Sequence, residues 1–218
     1  MPKFWYMTGQ ARNVAKSAGA GRGRTLTGMP SRPRNGAASA PVSTTAGTVV
    51  STAGHGVLGA VAEGRTHGFA VAALFAADGE LGRVWRIPRA VVYRELGRLE
   101  DAGLVRPVGV ETDGPGPDRT VVQLTAAGRR RLHAWLDEPV SRPRDARSAL
   151  LLKLALLDRS GRDPSALIAA QREVFTARVE RLRADAAAAE AGSFEQTLAH
   201  WRVSSTQAVL DFLARLAG

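Results

Sequence analysis

Cysteine is absent from the 218 residues. That excludes disulfides, thiolate metal sites and a cysteine nucleophile, and it suits a reducing compartment, so a cytoplasmic location is expected. Long apolar runs are missing too. The longest, Gly68 to Ala77, is too short to span a bilayer, and Lys3 is not followed by an apolar stretch of the signal-peptide kind, so no membrane partner is expected. The four histidines, His55, His67, His133 and His200, are scattered with no pair at metal-ligand spacing, and His67 reads as part of a helix start. No glycine-rich phosphate loop follows a strand, and no serine, histidine and acid set can be assigned. The expectation is a protein without metal or cofactor, and not an enzyme.

Acids are lacking in one region. Residues 1–53 hold seven Lys/Arg and no Asp or Glu, whereas residues 54–137 hold eleven bases against ten acids and residues 138–218 twelve against ten. Most of the formal net charge of +10 therefore belongs to the first quarter of the chain, and the global charge says little about the rest. That first quarter, rich in Gly, Ala, Ser, Thr and Pro, has neither helical nor strand period, so residues 1–53 are expected to form a disordered basic tail. Two readings of it stay open. One is an arm that touches phosphate backbone; the other is an extension from a start codon assigned too early, with Val42, Val49 and Val50 close to the first helix.

From Gly54 the pattern changes. Val57, Leu58 and Val61 recur at helical spacing before Gly64. Thr66 is the expected cap of a second helix with Phe69, Ala73 and Leu74 on its apolar face. Val92, Leu96 and Leu99 then mark the buried stripe of a third helix, closed by Gly103. Val105, Val108 and Val110, a tip "TDGPGPDR", and Val121 and Leu124 read as a β-hairpin. Three helices and a hairpin is the order of a winged helix-turn-helix. Thr125 opens another helix, and "DEPVSRPRDARS" reads as a linker. Three helical segments follow: "ARSALLLKLALL", a long helix from Asp163-Pro164 to about Ala191 with Ile168, Phe175, Val179 and Leu182 on its seam, and a last helix opened by a Ser193/Gln196 capping box.

The third helix carries the functional signal. Its early turns hold Arg89, Arg94 and Arg98, and its acids, Glu100 and Asp101, come last, the reverse of what the helix dipole favours. Wound at 100° per residue, Ala90, Val91, Arg94, Gly97 and Arg98 lie opposite the apolar stripe, with Tyr93 on the flank. Small residues beside arginines let a backbone approach a groove wall, and the guanidinium fork matches guanine edges and phosphates.

At this point "HGFAVAALF", "GRVWRIPRAVVYRELGRLEDAGLV", "QLTAAGRRRLHAWL" and "RPRDARSALLLKLALL" resemble the PadR-type transcriptional regulators, over roughly residues 54–218. The resemblance implies a homodimeric DNA-binding regulator, commonly a repressor, whose C-terminal helices make the dimer. It also makes the helix from Arg89 the recognition helix, with Tyr93 on the DNA backbone and Arg119 on the wing near the minor groove. Two positions depart from the pattern: Pro88 where a Ser or Asn cap is usual, and Ala90 where glycine is frequent. Proline has no side chain that caps, so the helix start differs from the family's.

The expected fold is mainly α with a small β-hairpin wing: a disordered tail (1–53), a winged helix-turn-helix DNA-binding domain (54–137) and a helical dimerisation and effector domain (138–218). DNA contacts are expected from Arg89, Ala90, Val91, Tyr93, Arg94, Arg98 and Arg119. Phe194, Leu198, Trp201 and Phe212, near a 4-3 heptad rhythm, are the expected dimer seam. Trp201 is the candidate contact for a small aromatic effector, while Trp85 is read as packing. The expected function is repression through operator DNA bound by a homodimer. The rival is a winged-helix module that binds another protein and never reads DNA.

Overall fold

The computed structural model describes residues 49–112 and 118–216. The expectations for residues 1–48 and for most of the hairpin tip lie outside the described residues, but the end of the expected tail (1–53) is ordered: Val50 and Ala53 pack on the core, and Thr52 already belongs to the first helix. Helix α1 (Thr52–Ala62) starts behind Ser51, whose hydroxyl accepts from the Gly54 N–H. Its residues from Gly54 to Val61 are buried all round, so it is the central helix of the core rather than a half-solvated one. It packs on α2 (Gly68–Leu74), α3 (Arg89–Asp101), α4 (Ala126–Asp137) and α6 (Leu151–Arg159).

Two expectations fail between α1 and α2. Thr66 is not a cap: with His67 it forms a short strand, β1 (Thr66–His67). The cap is His67, whose Nδ1 accepts from the Ala70 N–H at 3.2 Å. The core face of α2 is Val71 and Ala72, followed by Phe75, while Phe69 and Ala73 face outward. Leu81 and Ile87 plug the segment leading to α3, and Trp85 packs against the core as expected.

The wing is β2 (Val105–Glu111) and β3 (Arg119–Leu124), antiparallel from Val105 opposite Leu124 to Glu111 opposite Arg119, with an irregularity between Pro107 and Gly109. Strand β1 pairs with the other edge of β3, so the sheet has three strands in the order β1-β3-β2. The expected hairpin is therefore one strand short of what forms. Gly103, at φ +67°, closes α3 in the left-handed conformation that glycine adopts without strain. Thr125 caps α4 through the Gly128 N–H and donates to the Gly103 and Leu104 carbonyls, fastening the wing's exit to its entrance.

The segment expected as a linker is built into the core. Val140 is buried, and its N–H and C=O pair with the side-chain amide of the fully buried Gln171 at 2.7 and 2.8 Å. A turn of helix, α5 (Pro143–Asp145), runs through a π-type stretch (Ala146–Leu150) into α6. Helix α7 (Ser165–Ala188) ends earlier than expected; Asp163 accepts from the Ser165 N–H, and Ile168, Phe175, Val179 and Leu182 are its buried seam. Helix α8 (Phe194–Leu216) packs along α7 through Ala199, Thr206 and Leu213. In its capping box Ser193 accepts from Gln196 N–H, and the Gln196 side chain accepts from Gly192 N–H. One hydrophobic cluster runs from Val57 to Leu213.

Candidate nucleic-acid interface

Helix α3 begins behind Pro88, which offers no side-chain cap, and its first turn holds no acid. Val92, Glu95 and Leu99 are buried. Arg89, Ala90, Tyr93, Arg94, Gly97 and Arg98 are exposed. Val91, grouped with them from the sequence, is half-buried against the core instead: at 100° per residue it falls on the edge of the exposed face, about 40° from the buried Glu95.

Phe69 organises the basic side chains at the start of α3. It is 48% exposed, an aromatic ring on the surface rather than in the core. The Arg89 guanidinium lies 5.2 Å from its centroid and 5.4 Å from that of Tyr93, and donates to the Tyr93 hydroxyl at 3.4 Å. The Arg119 guanidinium, from the first residue of β3, lies 5.2 Å from the same Phe69 ring. A cation over an aromatic face gains roughly 0.5–1 kcal/mol at an exposed site, enough to bias two long side chains. Helix and wing thus present arginines from one aromatic pad, across a cleft of 680 Å³ whose rim also carries Glu100 and Asp118. A methyl group on Gly68 would sit 2.7 Å from Tyr93 Cε1, so this ring depends on a bare backbone beneath it.

Glu95 was not singled out from the sequence. Although a carboxylate, it is only 4% exposed. It accepts from the Ser51 hydroxyl at 3.1 Å and pairs with Arg98 at 3.2 Å and Arg94 at 3.5 Å. The residue that caps α1 is thereby tied to the two outer arginines of α3. The sequence signal was its position: Glu95 is three residues after Val92 and four before Leu99, inside the buried stripe.

Beneath the junction of α1, α4 and α6, the His55 ring stacks on Trp135 with centroids 4.7 Å apart. Lys153 Nζ lies 4.8 Å from the Trp135 centroid and donates to the Glu138 carbonyl. His55 Nδ1 donates to the Ser51 carbonyl at 3.0 Å, whereas its Nε2 is buried with no partner among the described residues. Burial holds the imidazole neutral, with its pKa lowered to about 4, and pushes the Lys153 ammonium down to about 8.

On α8, Phe194 and Trp201 are 75% and 69% exposed, and Leu198 and Phe212 are half-buried. Among the described residues, no group of three or more His, Cys, Asp or Glu is placed to hold a metal ion, and no helix is long and apolar enough to cross a membrane.

Residues 57–134 match the family described as "Transcriptional regulator PadR-like family". A probable transcriptional regulator of Mycobacterium tuberculosis is 32% identical over 109 residues, covering 50% of this chain and 53% of that protein. The negative transcriptional regulator PadR of Bacillus subtilis is 26% identical over 99 residues, covering 45% and 53%. The chain thus spans about half the length of the curated relatives it matches. Among solved structures, Bacillus subtilis PadR in complex with operator DNA matches at 22% identity over 76% of this chain and 97% of that one, with a TM-score of 0.39. The same protein in complex with p-coumaric acid matches at 20% identity over 77% and 97%, with a TM-score of 0.36. Over residues 57–134 the chain is thus similar to the transcriptional regulator PadR-like family.

Proposed function

We propose that the chain is a cytoplasmic transcriptional repressor that binds operator DNA as a homodimer. The observation that carries this reading is the exposed face of α3: Arg89, Tyr93, Arg94 and Arg98 beside the small residues Ala90 and Gly97, at an uncapped helix start, with Arg119 of the wing aligned to it through Phe69. Arg94, opposite the buried stripe, reads a base edge. Arg89 and Tyr93 hold phosphate, and Arg119 lies along the backbone near the minor groove. Val91 acts from behind, fixing the helix against the core. The names of the curated relatives, a probable and a negative transcriptional regulator, support the regulatory class.

The second copy is proposed to cover the outward seam of α8, where Phe194, Leu198, Trp201 and Phe212 offer more large apolar surface than a solvated helix keeps. The division into a DNA-binding part (54–137) and a dimerisation and effector part (138–218) follows from that reading. A small aromatic effector is proposed to stack on Trp201 and weaken DNA binding by a coupling of roughly 1–3 kcal/mol. Quenching of tryptophan fluorescence that persists unchanged in Trp201→Phe would remove this site.

Footprinting on the DNA upstream of the chain's own coding region, followed by a salt titration of the protected duplex, tests the main reading. Affinity should fall steeply with salt, because each phosphate contact releases counterion. No duplex affinity even at low salt would leave the winged-helix protein-interaction module as the better account.

A further inference from the structure

Far from α3 in the sequence, four arginines converge on one open pocket. Arg142 and Arg144 flank Pro143 at the start of α5, Arg178 comes from α7 and Arg202 from α8, with Ser205 and Thr206 completing the wall. The volume is 480 Å³, and among the described residues no carboxylate lines it. Among the described residues the only acid paired with any of the four is Asp145, whose Oδ1 is 3.9 Å from Arg144 Nε, too far for a hydrogen bond. The side chains of Arg142, Arg178 and Arg202 make no hydrogen bond or ion pair among the described residues. Arg178 Nε is buried with its N–H unmatched. The hydroxyls of Ser205 and Thr206 are turned to the Arg202 carbonyl of their own helix, at 3.2 and 2.7 Å, so they do not satisfy the guanidiniums either.

Four like charges in one concavity repel each other, and a desolvated guanidinium N–H costs free energy unless something accepts from it. Several other arginines of the fold sit against acids: Arg159 pairs with Glu63 and Glu80, Arg162 with Asp137 although its Nη1 stays buried and unmatched, and Arg94 and Arg98 with Glu95. Among the described residues this cluster has only Asp145, beside Arg144. Guanidinium forks from three segments meet the geometry of an oxyanion bearing several acceptor oxygens, and the volume suits a small molecule. With little apolar wall and no aromatic ring, the lining does not suit the planar ligand proposed for Trp201.

We infer that Arg142, Arg144, Arg178 and Arg202 form a binding site for a small phosphate-bearing metabolite with two or more negative charges. This inference does not rest on α3 reading DNA. Occupancy ties the start of α5, which leads from the winged part, to the α7–α8 hairpin, so the ligand stabilises the arrangement of the three segments.

The test uses the full chain and inorganic pyrophosphate at fixed ionic strength. Melting temperature and calorimetric binding are compared for the parent, for Arg178→Gln/Arg202→Gln, for Arg142→Gln/Arg144→Gln, and for a control pair on the solvated face of α7, Arg172→Gln/Arg181→Gln, which removes the same charge. In the parent and control, pyrophosphate at a hundredfold excess over its Kd should raise Tm by roughly 5–10 °C. Both pocket pairs should lose at least nine-tenths of that rise, and without ligand they should melt no lower than the control. The inference fails if the parent shows no rise, if the control and pocket pairs respond alike, or if sodium sulfate and sodium chloride at matched ionic strength reproduce the effect. It also fails if either pocket pair instead dissociates the dimer, since the partner's carboxylates would then be the occupant. Finally, it fails if the pocket pairs lose affinity for duplex as Arg94→Ala does while pyrophosphate does not bind: the pocket would then belong to a DNA surface.

Discussion

Arg94 and Arg98 share one buried partner, Glu95, and this decides how a substitution on α3 is to be read. Arg94→Ala leaves Glu95 with Arg98 and Ser51, so the fold should lose less than about 1 kcal/mol, as for exposed ion pairs. On the operator it should cost about 1–3 kcal/mol and relax discrimination at one position in each half-site. Arg89→Ala should weaken all duplexes alike and lower the salt slope by about one per subunit. Gel-shift titrations of operator and random duplex at several salt concentrations separate the two; if both variants bind like the parent, α3 is not the reader. His55 supports a prediction about pH. Its pKa is lowered from 6.5 to about 4, chiefly by desolvation, so between those values the unfolded chain binds the proton and the folded chain does not. The stability it contributes is complete above pH 6.5 and is lost as pH falls toward 4, about 2 kcal/mol between pH 7 and pH 5. Replacing it by Phe keeps a ring on Trp135 and removes the titration. Denaturant midpoints at pH 7 and pH 5 should therefore lie closer together in His55→Phe than in the parent, and an unchanged gap would show that other groups set the acid limb.

The elements differ in how plainly the sequence announces them. Helix α3 was legible almost to the residue, because Val92, Leu96 and Leu99 set its period and Gly103 its end. Strand β1 was not, since two residues cannot show a period and only pairing with β3 makes Thr66 and His67 a strand. Residues 137–148 read as a linker because their prolines and charges hide Val140, whose anchor, Gln171, lies 31 residues away. At the candidate site the arginines were legible as charges in the wrong place on a dipole. Phe69 and Glu95 were not, because an exposed ring and a buried acid each contradict the usual preference of their type. Helix α8 carries two faces one residue out of step: Ala199, Thr206 and Leu213 against α7, and Phe194, Leu198, Trp201 and Phe212 turned about 100° away. The outward face supports the dimer prediction. Phe212 is half-buried on the chain's own core cluster, so Phe212→Asp should lower Tm as well as weaken the dimer. Trp201 is exposed, and Trp201→Asp should leave the helical circular dichroism intact while raising the dimer dissociation constant roughly hundredfold or more. A Trp201→Asp chain that sediments as a tight dimer would put the interface elsewhere.

At the scale of the whole molecule, the excess charge lies in one stretch of sequence. Residues 1–48 contain seven of the chain's bases and no acid, so removing them takes the formal net charge from +10 to +3. Among the described residues the packing starts at Val50, which lies against the core, and Ser51 both caps α1 and hydrogen-bonds Glu95 beneath α3. A chain starting at Val49 therefore keeps every contact described above, and its helical circular dichroism, melting temperature and dimer mass should equal the parent's. The effect on DNA is the sharper measurement. Each lysine or arginine on a phosphate adds about 0.9 to the slope of log affinity against log salt, so a tail engaged along duplex would contribute a slope of up to about six. The composition of the tail, without period or aromatic clustering beyond its first residues, favours an extension that does not bind, and the truncated chain should show a slope within about one of the parent's on the same operator. A fall of several in the slope would make residues 1–48 a DNA-binding arm. Loss of helicity or of the dimer would mean that the fold extends upstream of Val49.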